Sequence, residues 1–412
     1  MKVAVRIFIA LLLGLAAGAL LSGSAAAPTA LKFAEPIGNL WLTALKMTIL
    51  PLIAGLLFTG IATSMGTASG SKLAGTAIVT FLGIYVVSAV WGMVIMPPLL
   101  ALWPAPAAAA QALTGVVPGT PVPALVLEPG PWLLSLVPEN IFKALAAGDT
   151  LPVVVFITVF ALAAGKLPKE RHDLLVVIFE SIKDAMLIII DWVFVAGPIG
   201  VFALAMTVGL KAGVGAFGIL AHYIAIVVIV QVALILAIYV VMALFGGGLM
   251  RFARAVLPAQ AVAASTQSSV ASLPAMYEGA ESLGLPETVS GVVLPLAVAL
   301  FRITGPCTNV AVVLYVGHLN GVEPGLLALA AGVLVAVAAS VSSGGVPGAV
   351  SFLASTVPIA NALGVPTAAL PLLLAVELIP DIFRTVGNVT GDLAVTSILA
   401  RRTARKEARA LH

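Results

Sequence analysis

Residues 217–248, FGILAHYIAIVVIVQVALILAIYVVMALFGGG, form an unbroken apolar run that contains no Asp, Glu, Lys or Arg. An α-helix needs about 20 apolar residues to cross a hydrocarbon core of ~30 Å, and this run is longer than that. The run also lacks the polar–apolar alternation of a barrel strand, so its backbone groups must be satisfied within a helix. It therefore predicts a membrane-spanning α-helix.

Similar runs recur along the whole chain of 412 residues. Hydrophobic residues make up 61% of it and charged residues only 9%, whereas soluble domains carry about 25% charged residues. The first run follows a basic start, but its length and the many later runs favour a retained helix over a signal peptide. The apolar segments lie near 4–22, 38–66, 74–103, 132–165, 174–210, 217–248, 288–317 and 367–400. They predict an all-α polytopic membrane protein with eight transmembrane helices.

The basic residues predict the orientation of the chain in the membrane. With alternating helices and both termini cytoplasmic, thirteen Lys and Arg residues fall inside and only Lys32 and Lys211 outside, as the positive-inside rule requires. The inner set is Lys2, Arg6, Lys72, Lys166, Lys169, Arg171, Arg251, Arg254, Arg401, Arg402, Arg405, Lys406 and Arg409. This distribution predicts a plasma (inner) membrane protein with a basic cytoplasmic tail, 401–412, and gives no reason to expect a nucleic-acid partner.

Two further segments, 249–284 and 322–364, are apolar but interrupted by Ser, Gly and Pro. The eight-helix count requires that neither segment crosses the membrane, so each is interpreted as a re-entrant helical hairpin. Irregular backbone survives at membrane depth only where protein buries it or a cavity solvates it. Two such segments in one chain therefore indicate a functional site.

The two hairpins resemble each other in sequence. Ser269 to Pro274 in the first and Ser342 to Pro347 in the second share the same offset. A Leu-Pro-Leu triplet follows each hairpin, at 294–296 and 370–372, and leads in turn to Phe301-Arg302 and Phe383-Arg384. This pattern predicts an inverted repeat, and paired interrupted segments are typical of the binding site of a secondary transporter.

The last apolar segment contains the string Glu377-Leu-Ile-Pro-Asp381-Ile-Phe-Arg384-Thr385-Val-Gly-Asn388-Val-Thr390-Gly-Asp392. Ionised side chains at membrane depth are costly and face a cavity or a partner. Spacings of three and four place its polar residues on one helical face. Arg384 can hold a carboxylate and Asp381 an ammonium group, with hydrogen bonds from Thr385 and Asn388. An acidic amino acid fits this face; the alternative is an internal Asp381–Arg384 salt bridge.

Other polar positions add to the predicted site. Asn388 and Asp392 carry hard oxygen ligands that suit a small cation, although they can also serve simply to join helices. At the first hairpin tip, backbone N–H groups and the hydroxyls of Ser268, Ser269 and Ser272 suit a carboxylate. Gly344, Gly345 and Gly348, around Pro347, give the second tip the backbone freedom of a gate. The alternative for both tips is an inert kink.

Chemistry other than transport has little support in the sequence. His222 and His318 have no partner at ligand spacing, and no zinc-protease, nucleophile-elbow or phosphate-loop motif occurs, so we predict neither an enzyme nor an ATP-driven pump. No cofactor is predicted apart from Na⁺ or H⁺ as a coupling ion. A passive anion pathway remains an alternative because the same helices can line a pore.

These motifs resemble those of the glutamate transporter homologues, the dicarboxylate/amino acid:cation symporter family. The string Arg384-Thr-Val-Gly-Asn388-Val-Thr-Gly-Asp392 is similar to that family's R-T-x-x-N-V-x-G-D signature, and 340–349 and 268–274 to its hairpin tips. Leu136-Val-Pro-Glu-Asn140 with Leu151-Pro152, and Pro198-Ile-Gly-Val-Phe202, resemble blocks of its scaffold helices. The resemblance extends over nearly the whole chain.

The resemblance implies a homotrimer in the lipid bilayer whose transport domains slide as elevators against a fixed scaffold. The scaffold would comprise 1–66 and 132–210, and the transport domain 67–103 and 217–400. Arg384 would hold the side-chain carboxylate of the substrate and Asp381 its amine. The site would be completed by Thr385, Asn388, Ser268, Thr308, Gly348 and the backbone at Ser269 and Val346. Asp392 would bind sodium.

One stretch departs from the family's pattern. The family's Asn-Met-Asp-Gly-Thr motif is replaced by Phe301-Arg302-Ile303-Thr304-Gly305, so two sodium ligands are missing and a positive charge is added. Gly305-Pro306 still predicts a broken helix. We expect Arg302 to replace one or more sodium ions and to neutralise Asp392, making transport wholly or partly independent of sodium, with Glu377 or Asp381 able to carry a proton. Alternatively, Arg302 binds a second carboxylate and favours C4-dicarboxylates or another anionic solute.

Overall fold

The computed structural model describes residues 3–68, 72–105, 134, 137–147, 150–245, 248–342 and 348–410, and in these residues all regular structure is α-helical. The helices are α1 Val3–Leu21, α2 Ala27–Ala68, α3 Lys72–Leu102, α4 Ile141–Ala147, α5 Thr150–Ala164, α6 Lys169–Val195, α7 Gly197–Ala212, α8 Gly215–Phe245, α9 Leu249–Thr266, α10 Leu273–Ser282, α11 Glu287–Leu300, α12 Thr304–Leu319, α13 Leu326–Ser342, α14 Gly348–Ala362, α15 Leu370–Leu374 and α16 Leu378–Ala410. This confirms the predicted all-helical class.

Several helices are long and apolar enough to cross a membrane. Within the described residues four spans meet that requirement, namely Ala27–Ala62, Leu73–Leu102, Gly215–Phe245 and Glu287–Leu319. A fifth candidate is the bent pair α6–α7, whose axes differ by 61°. Pro198 in the first turn of α7 lacks an N–H group, which explains why the predicted segment 174–210 forms two helices. The molecule is a multi-pass helical membrane protein, and the count of eight spans stays a prediction.

Helices α1 and α7 cross at close range because small residues line their contact. Gly14 and Gly18 of α1 lie four residues apart and face the backbone of α7 at Phe202 and Met206. Gly209 of α7 packs against Gly18 in return. Association of helices in a membrane relies on such close packing, since lipid tails are as apolar as the side chains themselves. The contact ties the first helix to the bent pair, and α2 packs against the same pair.

A second group of helices surrounds α12, which is almost wholly buried. Helices α3 and α8 pack along α12, and α16 packs against α8, α9 and α11. Gly92 lets α3 approach closely, because a Cβ atom there would clash with the carbonyl oxygen of Cys307. Cys307 is the only cysteine in the sequence and is buried. The charged stretch of α16 is therefore held inside this group.

Both interrupted segments form pairs of contacting helices, α9–α10 and α13–α14. The first pair turns through Gln267–Ser272, where Gln267 adopts a left-handed conformation with φ of 54°. The tip of the second pair, with the predicted gate residues Gly344, Gly345 and Pro347 and the predicted substrate contact Val346, lies outside the described residues. Gly348 begins α14. Whether the hairpins re-enter a membrane stays a prediction.

Two apolar segments are broken near prolines. As predicted, 288–317 divides into α11 and α12, because Pro306 has no N–H for the carbonyl of Arg302, which accepts from Gly305 at 2.9 Å instead. The last segment, 367–400, also divides, and the sequence-based expectation of one continuous helix is wrong. Pro380 cannot donate to the carbonyl of Val376, and 375–377 form turns between α15 and α16. Glu377 therefore lies in a break.

The close α1–α7 contact gives a stability prediction. Gly18→Ala places a Cβ against the Met206 carbonyl oxygen and 2.8 Å from the Gly209 Cα. We expect a loss of about 1–3 kcal/mol of stability, the usual cost of overpacking, and a lower melting temperature in detergent.

Gly83→Ala is the matched control, because a Cβ at Gly83 meets nothing within 4 Å. The control should melt at the same temperature or higher, since Ala is the better helix former. Equal melting behaviour of the two variants would contradict the proposed close contact.

Candidate solute-binding site

The break between α11 and α12 lies against α16. The backbone N–H of Thr304 donates to Asn388 Oδ1 at 3.1 Å. The Thr304 hydroxyl lies 2.7 Å from the same oxygen and 3.0 Å from the Arg384 carbonyl oxygen. Thr304 thus ties the start of α12 to the face of α16 that carries Arg384 and Asn388.

Helix α3 satisfies the remaining backbone groups of this break. The Tyr85 hydroxyl accepts a hydrogen bond from the N–H of Arg302 at 2.8 Å and donates to the Leu300 carbonyl. The Ser88 hydroxyl donates to the Ile303 carbonyl and accepts from the N–H of Cys307 at 3.2 Å. Unpaired backbone groups would be costly in an apolar medium, at roughly 2–7 kcal/mol each. These contacts keep the break open at low cost.

Arg384 is the centre of a buried charged cluster. Its Nη2 lies 3.0 Å from Glu377 Oε2, its Nη1 donates to Asn309 Oδ1 at 3.0 Å, and its Nε lies 3.7 Å from Asp381 Oδ1. Arg384 is 9% exposed and Glu377 6%. The predicted alternative, an internal salt bridge, is therefore partly present, but its closest carboxylate is Glu377 and not Asp381.

Glu377 has a second partner on α8. The Tyr223 hydroxyl donates to Glu377 Oε1 at 2.6 Å, so each carboxylate oxygen accepts one hydrogen bond. Tyr223 is fully buried. The break between α15 and α16 thus brings the Glu377 carboxylate to the guanidinium of Arg384. A continuous helix would place this carboxylate elsewhere.

The first hairpin tip lies beside the same break. Gln267 Nε2 donates to the Leu378 carbonyl at 2.9 Å, which brings Ser268 and Ser269 to the α16 start. The Ser272 hydroxyl donates to the Ser268 carbonyl at 2.9 Å, and its N–H is also used within the turn, so Ser272 is occupied locally. Of the predicted tip donors, Ser268 and Ser269 are half-buried and Ser272 is buried.

A second charged region contains Asp392, which lies two turns after Arg384 on α16, and Arg302 from the break before α12. Asp392 is fully buried, and neither carboxylate oxygen has a hydrogen-bond partner among the described residues. The half-buried Arg302 acts electrostatically on Asp392, and also on Asp381 and Arg384. The guanidinium of Arg302 therefore lies within electrostatic range of both Asp381 and Asp392 on α16. No group of three His, Cys, Asp or Glu that would suit a metal occurs in the described part of the chain.

The other predicted residues occupy distinct positions. The Thr385 hydroxyl donates to the Asp381 carbonyl at 2.8 Å, one turn before it. Thr308 is fully buried, and its hydroxyl accepts from Gln231 Nε2 at 3.2 Å. The next residue along α12, Asn309, is the one that contacts Arg384. The substrate roles of these residues stay predictions.

Several residues that position the cluster were missed by the sequence analysis. Asn309 and Gln231 had a usable signal, since each is an amide inside an apolar run, and such residues usually face a partner. Tyr223, Tyr85 and Ser88 had none, because aromatic and small hydroxyl residues are common in membrane helices. Only their contacts reveal a role.

Comparison with known proteins places the chain among transporters. The sequence profile described as the sodium:dicarboxylate symporter family matches residues 3–402. The proton/sodium-glutamate symport protein of Geobacillus stearothermophilus is 26% identical over 96% of this chain and 93% of its own length. The proton/glutamate-aspartate symporter of Escherichia coli is 26% identical over 89% and 84%, respectively. The C4-dicarboxylate transport protein of Azorhizobium caulinodans is 26% identical over 89% and 82%.

The link between Thr304 and α16 gives a second stability prediction. Thr304→Val removes the hydroxyl shared by Asn388 and Arg384, and we expect a loss of about 1–3 kcal/mol. Thr356→Val is the control, because that buried hydroxyl only donates to a carbonyl of its own helix, at Phe352. Thermal unfolding in detergent measures both. A smaller effect at Thr304 than at Thr356 would argue against a structural link.

Proposed function

The chain belongs to the sodium:dicarboxylate symporter family, a family of symporters and not of enzymes, and on that premise we propose that it is a secondary transporter of acidic amino acids. One observation carries the proposal. A buried guanidinium, Arg384, lies 3.7 Å from an acidic side chain, Asp381, beside a serine-bearing hairpin tip. A cation and an anion side by side match the carboxylate and ammonium groups of aspartate or glutamate.

The roles within the site follow from charge and reach. Arg384 holds the side-chain carboxylate in its planar fork, and Asp381 holds the ammonium group. The α-carboxylate is received by the hairpin tips, through Ser268 and the backbone at Ser269 and Val346, with Gly348 and Thr308 nearby. Thr385 and Asn388 complete the hydrogen bonding. Gly344, Gly345 and Pro347 form the gate that closes over the substrate.

We propose an elevator movement of one helix group against the other in a homotrimer. The scaffold comprises 1–66 and 132–210, and the transport domain 67–103 and 217–400 with both hairpins re-entrant and eight helices crossing the inner membrane. Both termini are cytoplasmic. In support, α1 and α2 pack against α6 and α7, whereas α16 packs with α8, α9 and α11. An apolar cavity of about 550 Å³ lies between the groups, lined by residues of α2, α3, α5, α11 and α13, and apolar contact that is not fully packed favours sliding.

Arg302 distinguishes the proposed coupling from sodium symport. Asp392 is buried without a hydrogen bond in the described residues and has Arg302 as its neighbouring cation. A positive charge near Asp392 attracts its carboxylate and repels a sodium ion at the same place, and both effects weaken with distance. Arg302 therefore takes the place of a cation at Asp392, and transport is wholly or partly independent of sodium. A residual sodium site at Asp392 and Asn388 is the competing account.

A second candidate substrate is a C4-dicarboxylate. Relatives with that activity in their names are as similar to this chain as the glutamate symporters. In that case Arg384 and Arg302 would each take one carboxylate, and no ammonium group would need Asp381. The same helices as a passive anion pathway would give conductance without saturation instead of exchange.

One variant distinguishes an amino acid substrate from a C4-dicarboxylate substrate. Asp381→Asn removes the partner of the ammonium group, so uptake of labelled L-aspartate into proteoliposomes should fall at least about tenfold, because a charge-assisted hydrogen bond is worth about 1.5–3 kcal/mol. Succinate uptake should change little. If wild type takes up succinate and not aspartate, the amino acid assignment fails. Non-saturable flux of both would indicate a pore.

The coupling prediction concerns Arg302. Wild-type uptake should proceed with potassium or choline as the only external cation, and Arg302→Met should make uptake depend on sodium by exposing Asp392 to the ion.

Arg254→Met, at an exposed arginine of α9, is the matched control and should stay sodium-independent. The proposal would be contradicted if uptake by the wild type strictly required sodium, or if uptake by the Arg302→Met variant did not depend on sodium.

A further inference from the structure

The turn between α9 and α10 contains a backbone conformation that its sequence does not favour. Gln267 has φ of 54°, the only positive value at a residue other than glycine in the described part of the chain. L side chains rarely adopt this left-handed conformation, because the Cβ atom crowds the following carbonyl oxygen. The backbone N–H of Gln267 ends α9 by donating to the Ala263 carbonyl at 2.8 Å. A strained residue of this kind persists only where the surrounding structure supports it.

The side chain of Gln267 supplies that support. Its Nε2 donates to the Leu378 carbonyl at 2.9 Å, a contact between residues 111 positions apart. Leu378 is the first residue of α16, and Asp381 and Arg384 follow it on that helix about one and two turns later. Helices α9 and α16 also pack against each other. The amide therefore ties the first hairpin tip to the end of α16 that carries the proposed substrate ligands.

Within this tip, two backbone donors are left unused. The N–H groups of Ser268, Ala271 and Ser272 are taken by acceptors inside the turn. The N–H groups of Ser269 and Val270 form no hydrogen bond among the described residues. Successive backbone N–H groups in a turn bind anions, so this pair suits a carboxylate. Ser269 is half-buried and Val270 exposed, which leaves the pair open to a ligand.

We propose that Gln267 is a positioning residue for the substrate, whose amide fixes the tip N–H groups at the distance from Arg384 and Asp381 that one acidic amino acid spans. The tip then receives the α-carboxylate while the side-chain carboxylate and the ammonium group lie on α16. Because the hydrogen bond of Gln267 ends on the α16 backbone, the two halves of the site keep one spacing. This rests on the proposed function, specifically on the tip as the receiver of the α-carboxylate.

A second amide of α9 separates positioning from simple helix packing. Gln260 lies two turns before Gln267, and its Nε2 donates to Thr390 Oγ1 of α16 at 2.8 Å and to the Tyr239 hydroxyl of α8 at 3.0 Å. Both glutamines therefore join α9 to α16 through one amide. Only Gln267 lies at the tip, and only its bond reaches the helix end near Asp381. Loss of the Gln260 amide should weaken helix packing without moving the tip N–H groups.

Matched substitutions test the proposal by ligand binding. Gln267→Met keeps the length of the side chain and removes its donor. We expect the dissociation constant of L-aspartate, measured by calorimetry on the detergent-purified full-length chain, to rise about three- to tenfold, as loss of one hydrogen bond predicts. Gln260→Met is the control. It should lower the melting temperature and leave the dissociation constant unchanged.

A ligand without the α-carboxylate gives a readout that a merely structural role would not produce. β-Alanine keeps the ammonium group and the side-chain carboxylate of aspartate and lacks only the α-carboxylate. Its affinity, measured by competition with labelled L-aspartate, should be the same in wild type and in Gln267→Met. Gln267→Asn covers the case in which Gln267→Met does not fold. Asn tolerates the left-handed conformation, but its amide is one methylene too short to reach the Leu378 carbonyl, so it should also lose only aspartate affinity.

The outcomes separate this inference from the proposed function. Saturable binding of L-aspartate to wild type, with unchanged affinity in Gln267→Met and Gln267→Asn, overturns the inference and leaves the proposed transporter intact. An equal loss in Gln267→Met and Gln260→Met, or an equal loss of β-alanine and aspartate affinity, also overturns it, because loosening of the whole hairpin then explains the result. If β-alanine does not compete in wild type, the comparison of the two Met variants decides. Absence of L-aspartate binding to wild type counts against the proposed function itself, and the inference falls with it.

Discussion

The backbone at the break between α11 and α12 is the constraint on which the site depends. In an apolar environment each unpaired N–H or carbonyl is costly, so a helix can be interrupted only where side chains replace the missing helical bonds. Tyr85 and Ser88 do this from α3, and Asn388 does it from α16. The same contacts fix α16 in rotation, because Asn388 and Arg384 must both face Thr304.

Because α16 is fixed in this way, its charged side chains are held in one defined arrangement. Arg384 lies between Asn309, Glu377 and Asp381, and Asp392 lies deeper, near Arg302. Buried ion pairs seldom add net stability, since the desolvation of both partners offsets their attraction. Stability alone therefore does not account for these charges in so apolar a chain, which supports the solute-binding role proposed above.

The two proline-associated breaks have related consequences. Pro306 and Pro380 each leave a carbonyl without its helical donor, and each break contains a charged residue, Arg302 or Glu377. One added charge, on Arg302, is positive and acts electrostatically on Asp392. The other is a carboxylate held by an arginine and a tyrosine. Each break therefore contributes one charge, positive at Arg302 and negative at Glu377.

The sequence by itself determined the helical membrane class, the two helix pairs, the break before Pro306 and the polar face of the last helix, because these depend on local composition and periodicity. The signature from Arg384 to Asp392 also determined the family. Only the tertiary structure decided that Glu377 and Asn309 contact Arg384, that Tyr223 holds Glu377, that Pro380 divides the last span, and that Ser88 and Tyr85 support a distant break. These contacts join residues as far apart as 219 positions, and no local pattern records which faces of two helices will meet.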